Sequence, residues 1–204
     1  GTLSAAVSYD NTQANTDSDK AVTTAAAFTN TYTSVFDSDT AVTLNGTKHL
    51  TVGGNSSETL DEDKFFFRVT PLDNAPTGSA SVDPGASSYL IGNSQGTGQD
   101  GSYTADIANL LNQITYTQEN MGGEMTKDFV YIITEQIPQP QAPGMDYDNT
   151  AYQVTVTVTD DGQGTLSAAA PSIEKGTWDG QSFTPAEQPQ TDAVVFNNTY
   201  SPAN

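Results

Sequence analysis

The stretch "AYQVTVTVTDDGQGTLSAA", residues 151–169, decides the fold class. Tyr152, Val154, Val156 and Val158 fall at one parity and Gln153, Thr155, Thr157 and Thr159 at the other, the period of a strand with one buried face. Asp160-Asp161-Gly162-Gln163-Gly164 then supplies turn chemistry before the next apolar residues. The segment therefore reads as a β-hairpin whose valine face is buried.

The same period extends outward. "AVTLNGTKHLTV" (41–52) puts Leu44, Lys48, Leu50 and Val52 at one parity and Thr43, Asn45, Thr47, His49 and Thr51 at the other. "KFFFRV" groups Phe65, Phe67 and Val69, leaving Phe66 and Arg68 outward. "DFVYIITEQI" groups Phe129, Tyr131, Ile133 and Glu135, although its opposite face is also apolar; the last run groups Val194, Phe196, Asn198 and Tyr200. Short alternating runs separated by Gly, Asn, Asp and Pro predict an all-β, antiparallel Ig-like sandwich. Residues 71–104, rich in Gly, Ser, Asp and Pro, read as a long connection, and "TADIANLLNQI" (104–114) as a short helical turn.

A chain of 204 residues with 35% apolar content, eight Phe and nine Tyr can bury a core. Six basic residues against 25 acidic ones give a formal charge of −19, which argues against a nucleic-acid partner and against an anionic membrane surface. With no cysteine, a secreted domain must be held by its core, by a metal or by another covalent tie. No apolar run has the length of a membrane-spanning helix, and no basic, apolar signal segment opens the chain. The expectation is a piece of a larger protein whose targeting and anchoring signals lie elsewhere.

Two motifs recur. "AAAFTNTY" (25–32) returns as "AVVFNNTY" (193–200), and "GTLSAA" at Gly1 returns at Gly164. Residues 1–32 then read as the C-terminal strands of a preceding repeat and 33–204 as a β-sandwich domain. Flanking repeats are the expected partners. Asn30 would belong to the earlier repeat and stay unreacted, unless residues 1–32 exchange strands with another molecule.

Lys48, Glu135 and Asn198 have core parity but polar chemistry. Burial drives lysine toward its neutral amine and glutamate toward its neutral acid. A neutral amine held against an asparagine carboxamide can attack it while a protonated glutamate shuttles protons, so that ammonia leaves and an amide remains. Phe65, Phe67, Tyr131 and Phe196 would supply the low dielectric. Asn197 adjoins Asn198 and a register slip would exchange them; parity with Val194 and Phe196 favours Asn198.

The ordered segments "LNGTKHLTV", "FVYIITEQ", "YDNTAYQVTVTVTDDGQGTL" and "VVFNNTY" resemble the isopeptide-linkage domains of Gram-positive pilins and surface adhesins, of the streptococcal pilin type and with a collagen-adhesin B-type-like fold. The resemblance covers roughly residues 40–200. It implies that the first and last strands are adjacent and parallel, that Lys48 and Asn198 form the isopeptide cross-link, and that Glu135 is its catalyst. It further implies a structural stalk repeat of an extracellular, cell-wall-attached adhesin or pilus-like fibre. The cross-linking is single-turnover, so the chain is not an enzyme in the turnover sense.

The alternative is an adhesin domain that recognises a host glycan or protein through residues 71–104 or through Trp178 in "KGTWDGQSF". "GNSQG" (92–96) has the form of a nucleophile elbow, but the sole histidine, His49, precedes Ser94 and no helical pattern follows. No cofactor is implied, and one histidine without cysteine does not make a zinc site. The acidic turns "TLDEDK" and "DYDN" match no calcium-loop spacing, and the sequons at Asn45, Asn55 and Asn197 are what chance yields in a chain this rich in Asn and Thr.

Overall fold

The valine-rich hairpin belongs to the largest of three sheets in a computed structural model that describes residues 4–8, 27–54, 56–77, 88–111 and 114–202. Strand β11 (Ala151–Asp160) buries Tyr152, Val154, Val156 and Val158, while Thr155 and Thr157 on the other face stay partly exposed. Asp161 caps the turn by accepting from the amides of Gln163 and Thr165, and β12 (Thr165–Ala168) returns antiparallel. Gly162, at φ 69°, takes the left-handed conformation the turn requires.

Numbered along the chain, β1 (Ser4–Ser8) and β2 (Ala27–Thr31) come first, followed by β3 (Val35–Phe36), β4 (Gly46–Val52) and β5 (Phe66–Pro71). Next are β6 (Tyr89–Gly92), β7 (Thr97–Gln99), β8 (Ser102–Ile107), the one-turn helix α1 (Gln118–Met121) and β9 (Thr126–Glu135). After β10 (Met145–Asp146), β11 and β12 come β13 (Ser172–Trp178), β14 (Phe183–Gln190) and β15 (Val194–Tyr200).

One sheet runs β14-β13-β11-β9-β5-β6, with β12 on β11 and β3 on β12; the other runs β10-β15-β4-β8-β7. The core lies between them, an arrangement of two stacked, mostly antiparallel sheets, each with one parallel pair. As the sequence predicts, the fold is an all-β, Ig-like sandwich, and β4 and β15 are adjacent and parallel, with Lys48 opposite Phe196 and Leu50 opposite Asn198.

Two sequence expectations are corrected. Residues 71–104 are more than a connection, because β6 and β7 lie within them; residues 78–87 fall outside the described ones. Both strands are short and Gly- or Ser-flanked, so no run of alternation announces them. Over 104–114 the chain extends as β8 to Ile107, with Lys48 opposite Ala105 and Gly46 opposite Ile107. Leu110, Leu111 and Ile114 are buried, the amide of Leu110 donates to the carbonyl of Leu44 and that of Ile114 to the carbonyl of Leu111, and residues 112–113 fall outside the described ones. The helix sits later, where Thr117 and Asn120 form a capping box.

β1 and β2 form a separate two-stranded antiparallel sheet. In the second copy of the repeated motifs the corresponding strands, β12 and β15, lie in different sheets, so the two copies pair differently. Residues 9–26 fall outside the described residues, and Asn30 is exposed.

Candidate functional site

Lys48 projects from β4 because the inward parity that buries Leu50 and Val52 also takes residue 48. Glu135 is the last residue of β9, continuing the inward series Phe129, Tyr131 and Ile133, and Asn198 follows Val194 and Phe196 on β15. The three come together between the sheets. The side chains of Lys48 and Glu135 are fully buried, and Asn198 is 1% exposed.

Glu135 links the other two. Its Oε2 lies 2.6 Å from Lys48 Nζ and its Oε1 accepts from Asn198 Nδ2 at 2.6 Å. The Lys48 nitrogen also sits over the Phe65 ring, 4.6 Å from its centroid. Phe196 packs on Phe67 at 4.9 Å and meets Tyr152 edge-on at 5.4 Å, excluding water around the cluster. Burial pushes the Lys48 ammonium below its ordinary pKa and the Glu135 carboxyl above its own, and the mutual attraction of the pair opposes both shifts. Desolvation is the larger cause in each case, so both side chains are driven toward neutrality.

Asn197 points outward and is exposed, so the register places Asn198 inside. The sequence reading missed Asp148, which follows β10. Its backbone N–H donates to Asn198 Oδ1 at 2.8 Å, its Oδ2 accepts from the Asn197 amide at 2.7 Å, and its Oδ1 accepts from the Thr150 amide at 2.8 Å. In "DYDN" an aspartate two residues before Thr150 is an Asx-turn signal, and that is its role here.

The matching family profile is FctA, Spy0128-like isopeptide containing domain, over residues 44–201. The chain belongs to this family. The matched span opens two residues before β4 and closes one residue after β15, so it takes in all three clustered side chains and leaves β1, β2 and β3 outside. No curated protein sequence matches the chain. Similar solved structures include the major pilin of Streptococcus pyogenes, at 21% identity and TM-score 0.40 over 77% of this chain and 50% of that one. A point mutant of that pilin gives 19% and 0.41 over the same shares. The T-13 major pilin of Streptococcus pyogenes gives 13% and 0.37, over 77% of this chain and 52% of its own. The chain thus spans about half the length of these pilins.

The remaining candidates lie apart from the cluster. His49 faces away from the core and its Nδ1 contacts Thr104 Oγ1 at 2.9 Å. In "GNSQG" the buried residue is Asn93, which accepts from the Phe65 amide at 2.8 Å and donates to the Asp61 carbonyl at 2.7 Å; it pins a bend. Trp178 ends β13 opposite Phe183 and is half-buried. Of the sequons, Asn45 and Asn197 are exposed and Asn55 lies outside the described residues. Among the described residues no group of His, Cys, Asp or Glu could hold a metal ion, and no helix is long and apolar enough to cross a membrane.

Proposed function

We propose that this chain is a structural unit of a pilus-like, cell-wall-attached surface fibre, and that it ties itself with an amide between Lys48 Nζ and Asn198 Cγ. The observation that carries this reading is the bridging carboxyl: Glu135 holds the amine and the carboxamide at 2.6 Å each, inside a dry core.

The neutral Lys48 amine attacks Asn198 Cγ, and negative charge develops on Oδ1, where the Asp148 N–H already donates. Glu135 gives its proton to Nδ2 and takes one from the attacking nitrogen, so the C–Nδ2 bond breaks and ammonia leaves. Nothing is oxidised or reduced, and the acid returns to its starting form. Each chain reacts once.

The bond closes a loop of about 150 residues, from 48 to 198, for which chain-entropy arithmetic gives about 5 kcal/mol of stabilisation. It does so in a chain with no cysteine, and a change of redox conditions leaves it intact. Intact-mass measurement tests the proposal: the chain is expected to be lighter than its sequence by one ammonia, and Lys48→Ala and Glu135→Ala variants to carry the full mass. An uncorrected mass in the unaltered chain refutes it.

A further inference from the structure

Tyr32 closes the first F-x-N-T-Y copy, yet it is held by the sheet that comes after it. Its hydroxyl donates to Asp160 Oδ1 at 2.5 Å and accepts from the Gly164 amide at 2.9 Å. Asp160 is the last residue of β11 and only 6% exposed, so the tyrosine reaches into the base of the β11–β12 turn. The chain then runs along that turn: the Val35 amide donates to the Gly164 carbonyl at 2.9 Å and the Asp37 amide to the Leu166 carbonyl at 2.8 Å, making β3 parallel to β12. Ala168 N–H donates to Thr40 Oγ1 at 3.0 Å at the end of the same strap.

Tyr200 occupies the matching place in the second copy, but its surroundings differ. It lies within β15 opposite Val52 and Met145, half-buried, and among the described residues its hydroxyl has no hydrogen-bond partner. A tyrosine hydroxyl also suits the electrostatics of joining like units. With six basic residues against 25 acidic ones, two such units repel and have few cations for ion pairs, whereas a neutral O–H can donate to a carboxylate.

We propose that the Asp160–Gly164 turn is a docking surface for the terminal tyrosine of a preceding copy of this fold, and that this contact, with the β3–β12 strap, sets the angle between successive units. The inference rests on reading residues 1–32 as the end of such a copy.

The test is backbone 15N relaxation on the full chain, and on a tandem chain in which residues 1–200 run directly into a second 33–204, so that Tyr200 takes the place of Tyr32. In the unaltered full chain, amides of β2 should show rigid order parameters near about 0.85, falling below about 0.6 in Tyr32→Phe and Asp160→Ala while residues 44–201 outside the 160–166 turn keep their spectrum. In the tandem chain, Tyr200→Phe should loosen the first unit from the second in the same way. Mobile β2 amides in the unaltered chain, or rigid ones in Tyr32→Phe, overturn the clamp. A loosened Tyr32→Phe chain beside an unaffected Tyr200→Phe tandem leaves the clamp standing and overturns its use between copies.

Discussion

In the proposed reaction Glu135 and Lys48 share one proton, and this would set the pH dependence of cross-linking. Below that range the pair gains a second proton and the amine is blocked; above it the last proton is lost and no acid remains to release ammonia. Because burial lowers the lysine and raises the glutamate, the two apparent pKa values belong to the pair. A chain translated into denaturant and refolded by dilution should therefore lose ammonia with a bell-shaped rate profile, read by mass against time at pH values where circular dichroism shows it folded. The negative charge of Asp148 raises both groups, so Asp148→Asn should move the bell toward acid. Asp148→Ala removes the acceptors that anchor its loop to Asn197 and Thr150, and should slow the reaction about tenfold, on the order of 1.4 kcal/mol of barrier. An unchanged rate in that variant would show that the Asp148 amide does not help the carbonyl react.

At the scale of elements, Gly176 in β13 shows how closely strands are fitted. A Cβ there would meet the Thr184 carbonyl oxygen at 2.2 Å and the Phe183 ring at 2.7 Å, at the irregularity where β13 and β14 shift register. Gly176→Ala should cost about 1–3 kcal/mol, seen as a lower urea midpoint with an unchanged slope. The long alternating strands were legible because each has a wet face and a dry one: β4, β9, β11 and β15 follow from parity, and parity delivered Lys48, Glu135 and Asn198 to one place. Even the two-sided apolar run of β9 resolves, since Ile132 is buried on the opposite face from Tyr131 and Ile133. What parity could not show is set by backbone hydrogen bonds. Asp148 acts through its amide and a local turn, which leave no hydrophobic period, and β10 is two residues long. Likeness of sequence does not fix pairing either: β1 pairs with β2, while their counterparts β12 and β15 lie in different sheets.

For the whole molecule, the parallel neighbours β4 and β15 carry the two ends of the proposed tie. Held by handles at residues 33 and 202, the cross-linked chain should yield only the short segments outside 48–198. Asn198→Ala should release 150 further residues, a contour length on the order of 500 Å at about 3.3–3.6 Å each. It should also lose about 5 kcal/mol of stability. Single-molecule pulling reads the first, and an unaltered chain that gives the full length would rule out a covalent tie between those strands. Thermal denaturation reads the second.

The outer border of β15 is closed as well. Only its last two residues are paired by β10, yet the Tyr152 hydroxyl donates to the Val195 carbonyl at 2.6 Å and accepts from the Val195 amide at 3.0 Å, while Asp148 takes the Asn197 amide. Side chains thus occupy both backbone groups of Val195 and the amide of Asn197, most of what a stray strand from another molecule would need there. In the proposed fibre, neighbouring threads would therefore find few free backbone groups on this flank to pair with, and growth would be left to the ends of each unit.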